Sequence, residues 1–329
     1  MKRRSIFSIL RFSVVPLSMV IMGCTTPTTL PQMNSVELES KLPKTDITLN
    51  IPGLGPSNDS PNREFSLNSK EPVTILVHGC YGSAGRFLAL SEVLAFHGQQ
   101  SICFSYDDRD SMMRSSRALA EAIEELALHL ESPEITIIGH SMGGLISRKA
   151  LISERTDSIT TQAKIKLVTV SAPFSGIRAA RLSASPFIRI ASLGINDLLS
   201  RILIGAKWHE ITYASDFIEE PGALVPAVER YLLVATDEKG SFREAGESGN
   251  NVEDDFVFSL EEQALPSVSG GIPATVVTVR AGHIEIVGEQ GVTPYKLIGV
   301  LQDEGFIRQT DTARTAQFDN LLTQLYGFN

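Results

Sequence analysis

The residues best suited to covalent chemistry form one short run, Gly139-His140-Ser141-Met142-Gly143, with Gly144 directly after it. The run has the pattern G-x-S-x-G and lies between an apolar stretch that predicts a strand and a stretch that predicts a helix. On such a turn the serine backbone is strained and its Oγ is exposed. Glycines two residues before and after the serine leave room where a Cβ atom would clash. The pattern predicts that Ser141 is a nucleophile.

Acyl transfer also needs two fixed hydrogen-bond donors at the carbonyl oxygen that becomes negative. We expect the N–H of Met142, at the start of the predicted helix, to be one of them. The loop His78-Gly79-Cys80-Tyr81-Gly82 follows the apolar run Val73–Val77, and we assign the second donor to the N–H of Cys80. Because His78 lies upstream of the serine, we expect it to be a structural histidine that bonds loop carbonyls.

Alternating strands and helices must position these groups. The predicted strands are Asp46–Ile51, Val73–Val77, Ser101–Tyr106, Ile135–Ile138, Ile165–Val170, Tyr231–Thr236 and Thr275–Val279. The predicted helices run from Phe87 to Gly98, from Asp110 or Ser111 to about Leu130, from Gly143 to Ile152, from Thr293-Pro294 onward, and from about Thr312 to Leu325. This alternation predicts an α/β protein with a mostly parallel sheet flanked by helices.

The alternation breaks between about residues 174 and 229, a segment with apolar patches that holds the single tryptophan, Trp208. We interpret this segment as a helical insert over one end of the sheet. Two roles stay open for it. It is either a lid or acyl-binding wall, or additional core packed on the sheet.

His78-Gly79 and Gly139 to Gly144, within one strand–helix–strand frame, resemble the α/β-hydrolase superfamily. Within that superfamily they are similar to lipases and esterases of the triacylglycerol-lipase type. The segment Ser171-Ala172-Pro173-Phe174-Ser175-Gly176 resembles the Thr-Pro-His-x-Gly loop of those enzymes, with Ala-Pro-Phe in place of Thr-Pro-His. The resemblance covers about residues 70–300 and implies the α/β-hydrolase fold and serine chemistry, without specifying a substrate.

In that family the order along the chain is Ser, Asp, His. Only His209 and His283 lie downstream of the serine, and His283 follows the last predicted core strand, so we expect it to be the base. The segment from Asp255 to Leu260 resembles the family's Asp-Gly-Val-Val-Pro-Leu segment, which implies that Asp255 is the acid that orients the histidine. Asp237 and Asp254 remain alternatives.

The composition sets limits on the function. The chain has 329 residues, of which 43% are hydrophobic and 20% are charged, enough for one large domain with a substantial core. Its net charge is −9. If an N-terminal leader with four basic residues and no acid is removed, the net charge falls to about −13. A chain this acidic disfavours a nucleic-acid partner. Three cysteines exclude a disulfide scaffold. We see no metal cluster and no phosphate-binding glycine loop, and therefore expect no cofactor and no metal.

The N-terminus has the pattern of an export signal. Lys2-Arg3-Arg4 precede an apolar stretch from Phe12 to Met22, which is too short to span a bilayer. The sequence Ile21-Met22-Gly23-Cys24 resembles the lipobox of bacterial lipoproteins, which implies that Cys24 is acylated and that the chain is anchored to a membrane of the bacterial cell envelope. Thr25 stands where an inner-membrane retention signal would have Asp, so in a Gram-negative host the resemblance implies the outer membrane.

These patterns divide the chain into three parts. Residues 1–23 are expected to be the signal peptide, residues 24–45 a flexible tether, and residues 46–329 the hydrolase domain with its insert. In an oxidising compartment Cys80 and Cys103 either form a disulfide or remain two free thiols.

The sequence therefore predicts a serine hydrolase that cleaves carboxylic esters, with an ester or lipid substrate, through an acyl-enzyme intermediate. Two other functions stay open. One is a non-catalytic anchored lipoprotein that uses the fold for binding or assembly. The other is an acyltransferase or thioesterase with the same serine.

Overall fold

The computed structural model describes residues 41–80, 82–152, 163–177, 210–212, 215–237, 259–268 and 270–327, all within the compact unit Glu39–Asn329. The strands are β1 (Ile47–Leu49), β2 (Leu54–Gly55), β3 (Phe65–Leu67), β4 (Val73–Val77), β5 (Gln100–Phe104), β6 (Glu134–His140), β7 (Lys164–Val170), β8 (Val228–Asp237) and β9 (Thr275–Arg280). The α-helices are α1 (Leu88–Phe96), α2 (Met112–His129), α3 (Met142–Ala150), α4 (Asp216–Glu219), α5 (Leu260–Gln263), α6 (Tyr295–Asp303) and α7 (Thr315–Tyr326).

The central sheet has the strand order β2-β5-β4-β6-β7-β8-β9. Its pairs are parallel from β5 to β9, and the short strand β2 joins the edge antiparallel to β5. A separate two-stranded sheet pairs β1 with β3. Because parallel strands end at the same edge, the loops after β4, β6, β7, β8 and β9 all meet at the carboxyl edge of this sheet.

Strand burial explains why these segments form the core. All five residues of β4 are buried, as expected for a parallel strand that is covered by helices on both faces. Helix α2 buries one stripe, which includes Leu119, Ile123 and Leu126, while Leu128 on its other face is 81% exposed. The N-terminus of α2 is capped, since the Ser111 hydroxyl accepts a hydrogen bond from the Arg114 N–H at 3.3 Å.

The predicted strands and helices are present in the described residues, with shifted ends. The helix predicted to begin at Gly143 begins at Met142, and Pro294, predicted inside the next helix, lies at the N-cap of α6. Strands β2 and β3 were not predicted, because the turn-rich stretch around them has no periodicity long enough to identify a strand. Residues 178–209, most of the predicted insert, lie outside the described residues, as do the predicted signal peptide and most of the predicted tether.

No helix in the described ranges is both long and apolar enough to cross a membrane.

Core packing on α2 is testable with two leucines of the same helix. We expect Leu126→Ala to lower the free energy of unfolding by about 2–5 kcal/mol, because Leu126 is fully buried and the change leaves a cavity. The control Leu128→Ala should change it by less than about 0.5 kcal/mol, since that side chain is exposed. Urea unfolding measures both, and equal losses would contradict the orientation of α2.

Candidate active site

Ser141 has the strained backbone that the sequence pattern predicts. It lies between β6 and α3 with φ 56° and ψ −126°. The residue is only 5% exposed, so the expectation of an exposed serine was wrong. Ser141 and Ser171 are the two non-glycine residues with positive φ in the described part of the chain. Such a conformation costs roughly 1–3 kcal/mol and persists only where the surroundings enforce it. Part of that enforcement is a hydrogen bond from the Ser141 N–H to the Val170 carbonyl at 2.9 Å, across to the neighbouring strand.

The glycines of the motif are required by close approach of backbone. A Cβ on Gly139 would lie 2.5 Å from the Gly143 carbonyl oxygen. A Cβ on Gly143 would lie 2.3 Å from the carbonyl oxygens of both Val77 and His78. Real Cβ atoms are not found at such distances, so helix α3 can begin this close to the end of β4 only with glycine at both positions.

Two backbone segments that carry the predicted oxyanion donors lie beside Ser141. Met142 is the first residue of α3, where an N–H has no acceptor within the helix. The loop after β4 passes close to the serine, since a Cβ on Gly79 would lie 2.9 Å from the Ser141 Cβ. Cys80 follows directly in this loop. The arrangement therefore puts both predicted oxyanion donors on segments that border Ser141.

The loop after β4 is held in place by an aromatic stack. The rings of His78 and Tyr106 lie parallel, with centroids 4.3 Å apart and an interplanar angle of 6°. The Tyr106 hydroxyl donates to the His78 carbonyl at 2.6 Å, and His78 Nδ1 lies 2.9 Å from the Gly79 carbonyl oxygen. His78 thus bonds a loop carbonyl, as expected for a structural histidine. Tyr106 was not singled out from the sequence, because its role depends on a partner 28 residues away.

His283 lies beside the Ser141 turn, on the loop that follows β9. Its carbonyl oxygen accepts a hydrogen bond from His140 Nε2 at 2.9 Å, and the two rings have centroids 4.6 Å apart. Because a carbonyl only accepts, His140 must carry its proton on Nε2. The N–H of Ala281 donates to the Asp237 carbonyl at 3.1 Å, which ties the start of this loop to the end of β8. Residue 140, next to the serine, therefore holds the backbone of residue 283.

Burial keeps both rings neutral near pH 7. Burial lowers the pKa of His140 to about 4, and the positive charge of Arg86 acts in the same direction. The pKa of His283 lies well below its ordinary value, chiefly because the ring is buried and then because of His140 and Arg86. A neutral imidazole can accept a proton, so the environment favours the base form of His283.

Nδ1 of His283 lies 2.7 Å from the Ser171 Oγ. Ser171 directly follows β7, has φ 48° and is 1% exposed. Its hydroxyl lies 2.7 Å from the Thr236 hydroxyl, which in turn lies 3.2 Å from Gln263 Oε1. A line of uncharged polar groups therefore extends from the imidazole into the sheet.

Of the three predicted acids, only Asp237 lies within the described residues. Asp255 and Asp254, and the alternative base His209, lie outside the described residues. Asp237 is the last residue of β8, and its backbone lies opposite that of Arg280 in the register between β8 and β9. The prediction of the acid therefore stays a prediction. Sequence reasoning missed Ser171, Thr236 and Gln263. The one available signal for Ser171 was a hydroxyl residue placed directly after a buried strand that neighbours the nucleophile strand.

Cys80 and Cys103 are not joined by a disulfide in the structure. Cys103 is buried on β5, and its thiol lies 3.0 Å from the Ser57 hydroxyl. Burial raises the pKa of Cys103 to about 12, so the side chain stays protonated. Of the two states left open by the sequence, the structure has the one without a disulfide.

Residues 69–182 match the model of a family described as an alpha/beta hydrolase of unknown function, DUF900. No curated protein matches the sequence. The match to this family and the sheet topology confirm the predicted α/β-hydrolase fold, which is a mostly parallel sheet flanked by helices.

Several solved structures are similar to the chain at low identity. The mature lipase BlEst2 of Bacillus licheniformis is 16% identical, with a TM-score of 0.46, over 80% of this chain and 99% of that one. The monoacylglycerol lipase of Paleococcus ferrophilus is 14% identical, with a TM-score of 0.40, over 78% of this chain and 96% of that one. The Vlm2 thioesterase domain is 11% identical, with a TM-score of 0.38, over 77% of this chain and 98% of that one. Similarity at these levels says nothing about the substrate of this chain.

The low pKa of His140 predicts a loss of stability in acid. Below pH 6.5 the unfolded chain binds a proton at this ring, whereas the folded chain does not until about pH 4. The stability of the fold with a neutral His140 is therefore fully present above pH 6.5, and it is lost as the pH falls from 6.5 to 4. We expect His140→Gln, which keeps a donor for the His283 carbonyl, to flatten the pH dependence of stability in this window by on the order of 3 kcal/mol.

Urea unfolding at several pH values between 4 and 8 measures the effect. His129→Gln is the matched control, because His129 lies exposed on α2. If the free energy of unfolding of His140→Gln changes with pH as steeply as that of the wild type, the burial of His140 does not contribute to acid sensitivity.

Proposed function

We propose that the protein is a serine hydrolase that cleaves carboxylic esters, lipid or other acyl esters among them, through an acyl-enzyme intermediate. The observation that carries the proposal is the strained Ser141 turn with a buried, neutral His283 held beside it by the residue that precedes the serine. A fold with only a structural role has no need for strain at this serine or for an imidazole kept in its base form.

The proposed reaction begins with attack of the Ser141 Oγ on the ester carbonyl carbon, while the hydroxyl proton moves to His283 Nε2. The carbonyl oxygen becomes negative, and the N–H groups of Met142 and Cys80 stabilise it. As the tetrahedral intermediate collapses, the bond to the alcohol breaks and the alcohol leaves with the proton from His283. Water then attacks the acyl-enzyme, again with His283 as base, and the carboxylic acid is released with Ser141 restored.

The surroundings of the site favour this chemistry over a surface reaction. Met142 and His283 are 1% and 4% exposed, so a developing oxyanion would form where little water competes for the donors. The N-terminus of α3 adds a positive partial charge at the same place. In this scheme the predicted acid is Asp255, with Asp237 and Asp254 as its alternatives.

We further propose that the chain is exported and held at a membrane of the bacterial cell envelope through lipid on Cys24. The support is the basic start, the short apolar stretch and the sequence Ile21-Met22-Gly23-Cys24. Several acyl chains at about 0.8 kcal/mol per buried CH₂ would make the attachment effectively permanent. The hydrolase domain would then work at a membrane surface, where acyl esters are abundant.

The nucleophile is tested by Ser141→Ala. We expect this variant to lose fluorophosphonate labelling and to lower kcat/KM for p-nitrophenyl esters by at least about 10³-fold, because no acyl-enzyme can form. Ser66→Ala is the matched control, since Ser66 is an exposed serine of β3 and should keep wild-type labelling and rate. Labelling that persists in Ser141→Ala would refute the assignment, and a wild-type protein inert to both reagents would favour a binding role.

The anchor is tested by Cys24→Ala in the full-length chain expressed in a bacterium. We expect the wild-type protein to incorporate labelled palmitate and to sediment with membranes, and the variant to do neither, because the acylated thiol is absent. Cys103→Ser is the control, since its thiol is buried and should not affect labelling. Palmitate incorporation in Cys24→Ala equal to that of the wild type would exclude Cys24 as the site.

A further inference from the structure

We propose that Tyr106 is a positioning residue of the site and that, through His78, it orients the N–H of Cys80 toward the place where the oxyanion forms. This inference rests on the proposed function, in which that N–H stabilises the oxyanion beside Ser141. Its starting observation is a series of contacts that leads from Tyr106 through His78 to the peptide group between Gly79 and Cys80.

The peptide group between Gly79 and Cys80 is held at its carbonyl end. The Gly79 carbonyl oxygen lies 2.9 Å from His78 Nδ1 and accepts a hydrogen bond from the Gly82 N–H at 3.2 Å. Because a carbonyl only accepts, His78 must carry a proton on Nδ1. The peptide is trans and planar, so the Cys80 N–H points away from the side that the Gly79 carbonyl faces. The position of the His78 ring therefore sets the direction of the Cys80 N–H.

Tyr106 holds His78 at two points. Its ring lies parallel to the imidazole, with centroids 4.3 Å apart, and its hydroxyl donates to the His78 carbonyl at 2.6 Å. Burial raises the pKa of Tyr106 well above its ordinary value, so the hydroxyl keeps the proton that it donates. Phe104, a core residue of β5, stacks on Tyr106 with centroids 5.8 Å apart. These contacts connect the loop after β4 to the core of the sheet.

The strand order puts Tyr106 and Ser141 on opposite sides of this loop. Strand β4 lies between β5 and β6, Tyr106 follows β5 by two residues, and Ser141 directly follows β6. With the His78 ring stacked on Tyr106, the Gly79 carbonyl faces the β5 side, and the Cys80 N–H is turned toward the β6 side. Gly79 itself is close to the serine, since a Cβ on it would lie 2.9 Å from the Ser141 Cβ.

A donor in this direction acts on the transition state. Negative charge on the carbonyl oxygen develops only as the serine bond forms, so the donor stabilises the tetrahedral intermediate more than the bound ester. Loss of one such donor typically lowers kcat by roughly 10²- to 10³-fold. A donor that is still present but no longer held in direction should lose part of that effect.

The first test is Tyr106→Phe in the full chain, which removes the hydroxyl and keeps the ring. We expect kcat for p-nitrophenyl acetate to fall about 10- to 100-fold with KM unchanged, because only the transition state loses stabilisation. Tyr295→Phe is the matched control, since Tyr295 is 57% exposed on α6 and should keep the wild-type kcat. A wild-type kcat in Tyr106→Phe would overturn the proposal.

Inhibition by a trifluoromethyl ketone separates positioning from a general loss of structure. The Ser141 Oγ adds to the ketone carbon, the hydroxyl proton moves to His283, and the former carbonyl oxygen becomes an oxyanion that is not turned over. We expect the inhibition constant to rise in Tyr106→Phe by the factor by which kcat/KM falls. A smaller folded fraction would lower kcat without changing this constant, so a wild-type inhibition constant in Tyr106→Phe would overturn the proposal.

His78→Phe tests the same path independently, also where Tyr106→Phe does not fold. It keeps a ring against Tyr106 but removes the Nδ1–H that binds the Gly79 carbonyl. We expect a similar loss in kcat and a similar rise in the inhibition constant. The double variant should lose less than the product of the two single losses, because both residues act on one peptide group. Losses that multiply would show independent action and overturn the proposal.

A measurement independent of activity separates this proposal from the proposed function. The ¹⁵N shifts of the His78 ring, assigned by comparison with His78→Phe, should show Nδ1 protonated at pH 7. The Gly82 N–H should exchange with solvent faster in Tyr106→Phe than in the wild type or in Tyr295→Phe. An unprotonated Nδ1, or equal exchange in all three proteins, would overturn the proposal. A wild-type protein that shows both signatures but is inert to esters and to the ketone would refute the proposed function and leave the positioning of the loop standing.

Discussion

The site depends on one steric constraint, the close approach of α3 to the ends of β4 and β6. Gly139 and Gly143 allow this approach because neither carries a Cβ. With the helix start held there, Ser141 has no relaxed conformation available and takes φ 56°. The strain of roughly 1–3 kcal/mol is offset by the burial of the surrounding strands, all of whose central residues are in the core. The strained turn at Ser141 is thus a consequence of sheet packing.

Burial then sets the protonation state of the proposed base, His283. The rings of His140 and His283 lie with centroids 4.6 Å apart, so protonation of one disfavours protonation of the other. A base with a low pKa accepts a proton less strongly, but nearly all of it is in the reactive form at neutral and mildly acidic pH.

The sequence predicts local features well and distant partners poorly. Short apolar runs such as Val73–Val77 predicted the buried strands, and the G-x-S-x-G pattern predicted the Ser141 turn, because both depend on neighbouring residues. The contact between Ser171 and His283 joins residues 112 positions apart and could not be read from spacing. Strands β2 and β3 were missed for a related reason, since each owes its existence to a partner strand rather than to its own two or three residues.

The edge of the sheet explains why such distant residues meet. Past the end of β6, the Ser141 N–H donates to Val170 of β7, and past the end of β7, the Ser171 N–H donates to Val234 of β8. One strand further on, the Ala281 N–H after β9 donates to Asp237 of β8. The loops that carry Ser141, Ser171 and His283 are therefore each tied by a backbone hydrogen bond to an adjacent strand. A shift of one strand along the sheet would move one of these residues relative to the other two, so the register of β6 to β9 sets how Ser141, Ser171 and His283 lie relative to one another.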